Sequence, residues 1–126
     1  MAHQIVFILC SIIALTGVQG IHGVKFQATN NAAGTAGGIR FTNEIGITYS
    51  RATLKAATQF IWQSFHQTSA ADRKNVPLLS MVVESMDGVA YTINNKIHVS
   101  ANYIEGYRGD VKREITGVIY HEVAHV

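Results

Sequence analysis

The stretch Asp110-Val111-Lys112-Arg113-Glu114-Ile115-Thr116-Gly117-Val118-Ile119-Tyr120-His121-Glu122-Val123-Ala124-His125-Val126 decides how this chain is read. Asp110 is a favoured N-cap residue type, and Val111, Ile115, Val118, Ile119 and Glu122 recur behind it at near-helical spacing. The pattern predicts a helix with one apolar face. On it His121 and His125 fall one turn apart, about 6 Å along the axis and about 40° around it. Two imidazoles so placed can grip one metal ion, with Glu122 beside a metal-bound water. Gly117 lies one turn before His121 on the same face. Two explanations stay open for it: a helix glycine costing about 1 kcal/mol, or a position that something approaches closely.

Zinc suits this donor set, because it accepts imidazole nitrogen and imposes little geometry of its own. Held by neutral ligands, it lowers the pKa of bound water to about 7. Glu122 can then take the water's proton and pass it to a leaving amine. The chemistry is amide hydrolysis without a covalent intermediate. A catalytic zinc takes three protein ligands, and the motif supplies two. Chance produces His-Glu-x-x-His in about one chain per hundred of this length and composition, so its context matters. The plain alternative is an ordinary surface helix with two histidines and a solvated glutamate.

Upstream, Lys96-Ile97-His98-Val99-Ser100 and Val89-Ala90-Tyr91-Thr92-Ile93 flank Asn94-Asn95, a loop tolerant of positive φ, and read as a β-hairpin. Ile97 and Val99 face one side of it and His98 the other, as a polar-face residue. Pro77 opens a buried strand, Leu78-Leu79-Ser80-Met81-Val82-Val83, and Met86-Asp87-Gly88-Val89 carries a turn signal. A helix is expected from Ser50, as N-cap, to about residue 67, with Leu54, Ala57, Ile61 and Phe65 as its core stripe. His66 near its end is a helix-dipole partner or plain surface. Between these two elements a polar connection is expected, with a helical turn at residues 70–73. Val24-Lys25-Phe26-Gln27-Ala28 alternates as a short strand, residues 29–38 read as a flexible turn, and Ile39-Arg40-Phe41 as a second short strand. Gly37-Gly38 has no phosphate-loop context. Residues 102–109 read as a loop.

The first twenty residues contain no Lys, Arg, Asp or Glu, and residues 5–15 are nearly all apolar. With Val18-Gln19-Gly20 at its end, this segment reads as a secretory signal peptide cleaved after Gly20. It is too short to span a membrane comfortably, which takes about 20 residues. Residues 21–126 form one expected domain, secreted and extracellular, with no stable membrane association after cleavage. The only cysteine, Cys10, falls inside the signal, so no disulfide supports the mature chain. Asn-x-Ser/Thr is absent. Net charge is +2, and the basic residues are scattered, which excludes a nucleic-acid surface.

Several longer stretches resemble the plant basic secretory proteins, pathogenesis-related proteins grouped with zinc metallopeptidases of plants and bacteria. They are Asp72-Arg73-Lys74-Asn75-Val76, Met86-Asp87-Gly88-Val89-Ala90-Tyr91, Asn94-Asn95-Lys96-Ile97-His98-Val99-Ser100 and residues 109–122. Phe41, Glu44-Ile45-Gly46 and Phe60-Ile61-Trp62 fit as well. The likeness covers essentially all of residues 21–126. It implies an α+β, zincin-like fold: a small twisted, mainly antiparallel sheet, a backing helix and an active-site helix. It implies His121 and His125 as zinc ligands, Glu122 as catalytic base and a peptide or protein as substrate. The edge strand before the active-site helix would bind extended substrate, with Val89, Tyr91, Ile97 and Val99 as candidates. Secretion into the plant apoplast or cell wall and a role in defence are further expectations. The family's domain continues past the second histidine to a helix with acidic residues, one of them the third ligand. Residues 21–126 therefore correspond to a truncated domain, expected to be inactive or weakly active. A non-enzymatic secreted defence or binding protein on the same scaffold is the alternative.

Overall fold

The computed structural model describes residues 19–21, 23–65 and 75–126. Their elements follow the order β1 (Gln19–Ile21), β2 (Val24–Asn30), α1 (Ala36–Glu44), α2 (Ile47–Ser64), β3 (Leu78–Glu84), β4 (Ala90–Ile93), β5 (Lys96–Ser100), α3 (Ala101–Gly106) and α4 (Val111–Val123). His66 and the turn expected at residues 70–73 lie outside the described residues. So does the expected signal, apart from the backbone of Gln19 and Gly20 in β1. Among the described residues no helix is long and apolar enough to cross a membrane.

One five-stranded sheet has the order β1-β2-β3-β5-β4. β1–β2 and β4–β5 pair antiparallel, whereas β2–β3 and β3–β5 pair parallel. The sheet is therefore mixed, not mainly antiparallel as expected. The reason is connectivity. Parallel neighbours need a crossover, which α1 and α2 provide between β2 and β3. The chain then runs out along β4 before β5 returns between β4 and β3. Asn94 and Asn95, at φ 51° and 59°, form the tight turn between β4 and β5.

Alternation on the strands makes one face apolar. Phe26 and Ala28 of β2, Met81 and Val83 of β3, and Ile97 and Val99 of β5 are buried together with Leu54 and Ala57 of α2 and Ile115 and Ile119 of α4. The helix α2 lies on β2 and against α4. Val82, on the opposite face of the central strand, is buried as well. His98 occupies that opposite face, hydrogen-bonded to Glu84 and stacked on the Tyr91 ring at 4.4 Å.

Residues 36–44 are helical, where a turn and a strand were expected. Thr35 caps α1, its Oγ1 accepting from Gly38 N at 3.1 Å. Asn30 braces the same turn, with Nδ2 donating to Gly38 O at 2.9 Å and Oδ1 accepting from Ala32 N at 3.0 Å. Arg40 then reaches 2.8 Å to Ile104 O and also donates to Tyr107 O, tying α1 to the connection before α4. The cap chemistry was present in the sequence, but two adjacent glycines masked it.

The next helix starts at Ile47, with Gly46 at φ 87° as its N-cap. Ser50 is not the cap. It is buried one turn inside, donating Oγ to Gly46 O at 2.8 Å, a back-bond that serine makes within helices. The apolar stripe fades before Phe65, which is 66% exposed. Residues 101–106 form the short helix α3 in place of a loop. Ser100 Oγ accepts from Tyr103 N at 3.0 Å and donates to Met86 O at 2.7 Å. A six-residue helix is too brief for its apolar spacing to stand out.

Candidate metal centre

The cap of α4 forms as expected, with Asp110 Oδ1 accepting from Arg113 N at 3.1 Å. Val111, Ile115, Ile119 and Val123 anchor the helix in the core. That anchoring turns His121 and His125 outward, where both are exposed. Beyond Val123 the winding tightens: His125 N donates to Glu122 O at 2.9 Å and Val126 N to Val123 O at 3.1 Å. The two imidazoles meet edge to face, with Nε2 atoms 3.2 Å apart. Two nitrogens bound to one tetrahedral zinc ion would stand about 3.3 Å apart, given zinc–nitrogen distances of about 2.0–2.1 Å. The observed separation is thus close to that of two ligands on one ion. Among the described residues no group of three or more His, Cys, Asp and Glu side chains gathers at one point.

Glu122 is buried between the two exposed histidines, at 8% exposure. Its carboxylate has a partner that the sequence did not announce. Thr92 of β4 lies with Oγ1 2.8 Å from Glu122 Oε1 and 3.2 Å from Glu122 O, donating to both acceptors. The single threonine hydroxyl fastens the middle of the motif to the outermost strand. Strand alternation was the available signal: Thr92 pairs with Ile97, and both face the helices.

A cavity of about 370 Å³ opens between the start of β4 and α4, lined by Val89, Ala90, Glu114, Gly117, Val118, His121 and Glu122. A Cβ built on Gly117 would meet nothing within 4 Å. A side chain there would have open space around its first carbon, and its absence widens the cleft. Glu114, at the far end, accepts a hydrogen bond from Tyr103 Oη at 2.5 Å. That bond, followed by burial, pushes the Tyr103 phenol up to about 12.

Among the described residues β4 pairs only with β5, leaving its other edge open. Ser100 N donates to Val89 O at 2.9 Å. Bonded and non-bonded pairs alternate along an antiparallel ladder, so Ala90 and Thr92 turn their backbone N–H and C=O groups to the open edge. This corrects the expected edge candidates. Ile97 and Val99 lie on the interior strand β5 and are 0% exposed. Tyr91 is on the edge strand, but its side chain stacks on His98 on the far face of the sheet. Val89 stays at the mouth of the cleft.

The arrangement comprises two imidazoles in contact, a buried carboxylate between them in sequence, a cleft and a strand edge that is open among the described residues. It is assembled by residues in the second half of the chain. No curated protein and no solved structure matches this sequence. A family model described as "Peptidase of plants and bacteria" matches residues 21–126, and the chain belongs to that family, the basic secretory proteins.

Proposed function

We propose that this chain carries the core of a secreted zinc metallopeptidase-like defence protein, with His121 and His125 as metal ligands and Glu122 as general base. The observation that carries the proposal is the 3.2 Å separation of the two Nε2 atoms, beside a carboxylate held by Thr92. A zinc ion bound there would supply Lewis acidity that polarises a scissile carbonyl and acidifies water. Glu122 takes the proton of the attacking water and delivers it to the leaving amine. Thr92 fixes the carboxylate's rotamer for both transfers. Peptide substrate adds as a strand against Ala90 and Thr92, whose outward backbone groups give it affinity without sequence choice. This is also the part of a zincin-like arrangement that the fold supports: an edge strand laid beside the metal-binding helix. Secretion after removal of residues 1–20 belongs to the same proposal.

A catalytic zinc takes three protein ligands, and the described residues bring two together. Weak zinc binding and little hydrolysis are therefore expected of these two ligands by themselves. The same observation favours a second reading, a scaffold that binds peptides without cutting them. Zinc titration followed through the imidazole NMR signals separates the two. The peptidase reading expects one zinc per chain, shifting the His121 and His125 signals together, and loss of binding in His121→Ala. Glu122→Gln should keep the zinc and lower any hydrolysis by about 10²- to 10⁴-fold. Failure of saturating zinc to move either imidazole would rule out the peptidase reading.

A further inference from the structure

Glu114 is the one charged side chain lining the β4–α4 cleft besides the motif's own His121 and Glu122. It stands seven residues before His121, two turns back along the same helix face, or about 10 Å along the axis. Among the described residues Glu114 takes part in no ion pair. Lys112, the nearest lysine in sequence, instead places Nζ 4.3 Å over the Tyr49 ring. The bond from Tyr103 Oη reaches one carboxylate oxygen, Oε2. A hydroxyl donor orients the carboxylate and leaves its negative charge uncompensated. Between Glu114 and the motif the walls are Val89, Ala90, Val118 and the bare backbone of Gly117. The space is thus an open cleft with apolar walls, with Glu114 two helical turns from the motif.

We propose that this cleft is a specificity subsite for a lysine or arginine side chain of a bound peptide, with Glu114 as the charge-reading residue. The inference rests on the strand-addition part of the reading above and deepens it to a substrate class. A peptide paired to Ala90 and Thr92 projects alternate side chains toward α4, as Ala90 and Thr92 themselves do. A long side chain entering the cleft reaches toward Glu114, which lines it together with Val89 and Ala90. An apolar stem matches Val89 and Val118, and a terminal cation meets the carboxylate in a charge-assisted hydrogen bond. A short or acidic side chain would leave Glu114 unanswered or repel it. Tyr103 is a positioning residue, holding Oε2 and leaving Oε1 for the cation.

Binding, rather than turnover, tests the proposal. Fluorescently labelled eight-residue peptides, otherwise Ala, Val and Ser, carry Lys, norleucine or Glu at one central position. Anisotropy titrations on the full chain should give about tenfold tighter binding for Lys than for norleucine, and weaker binding still for Glu. The Lys preference should shrink in high salt. Glu114→Gln should bring Lys and norleucine within about twofold of each other, and Glu114→Lys should reverse the order toward the Glu peptide. Gly117→Leu, which fills the cleft while Glu114 remains, should weaken all three peptides. Equal binding of Lys and norleucine by the wild type, a Lys preference surviving in Glu114→Gln, or no binding of any peptide would each overturn it. The outcomes separate from the zinc question. If His121→Ala keeps the Lys preference, the subsite stands whatever the metal does. If zinc binds but the peptides do not discriminate, the metal site stands and the subsite falls.

Discussion

Helices α1 and α4 both carry glycine inside a regular turn, and the two sites behave in opposite ways. At the first, a Cβ on Gly37 would stand 1.9 Å from Ala101 O, and one on Gly38 would stand 1.7 Å from Ala32 O. At the second, a Cβ on Gly117 would touch nothing within 4 Å. In α1 the missing side chain lets two backbones come together, which locks α1 against α3 and the turn after β2. In α4 the missing side chain leaves a void at the cleft. The same residue type thus closes one junction of the molecule and opens another. A glycine in a helix carries no information about which it does until its neighbours are placed.

The sharpest way to break this contrast is Gly38→Ala. Its Cβ would collide with Ala32 O and, at 2.3 Å, with Ala32 C, both backbone atoms that no rotamer change can move aside. We expect a loss of more than about 4 kcal/mol, in the range kept for severe core damage. Urea unfolding followed by circular dichroism checks it; a loss below about 1 kcal/mol would show that the α1 junction is not closed.

Next in size is Thr92→Val, on the open side. It keeps the shape but takes the hydroxyl from a carboxylate that is 8% exposed. Leaving that group without its donor should cost about 1–3 kcal/mol, read from the shift of the thermal midpoint. Thr92→Ser should recover most of it. A neutral Thr92→Val would mean that the cleft admits enough water to replace the hydroxyl.

Smaller, and opposite in sign, is Gly117→Ala. The exposed helix position gains intrinsic propensity and meets no clash, so stability should rise by about 0.5–1 kcal/mol. The same alanine scan thus runs from collapse at Gly38 to improvement at Gly117. A destabilised Gly117→Ala would reveal a close neighbour after all.

The last test is a titration where the two regions meet. Tyr103 of α3 donates to Glu114 of α4, and the bond raises the phenol to about 12 from an ordinary 10.0. The folded state therefore holds this proton more tightly than the unfolded chain does. Its contribution to stability is complete below pH about 10 and is lost as pH climbs from about 10 to about 12. Ultraviolet difference titration should detect one tyrosine ionising late, and Tyr103→Phe should remove it. If the late step persists in that variant, another tyrosine is responsible and the α3–α4 link is weaker than the geometry implies.

Much of the fold was legible because its signals are local. The strand Leu78–Glu84, the Asn94-Asn95 hairpin, the Asp110 cap and the α4 stripe each follow from residues within a few positions of one another. Helix α1 is hidden in the sequence because Gly37-Gly38 has the composition of a turn, and only the close approach of Ala32 and Ala101 requires glycine there. Helix α3 was misread because six residues are too few to display a period. At the site, His121, Glu122 and His125 were legible as a spacing. Thr92 and Glu114 were not: strand alternation turns Thr92 toward the helices, but only the packing of β4 on α4 makes either part of a cleft.

The sequence by itself determined the pair of imidazoles, the carboxylate between them and the helix that presents them, because helical periodicity is written in short-range spacing. Only the tertiary structure decided that the sheet is mixed, that Ala90 and Thr92 rather than Ile97 and Val99 offer the free edge, and that Glu122 is braced by a strand thirty residues away. Those outcomes depend on which segments become neighbours, and that is fixed by burying apolar faces drawn from the whole chain.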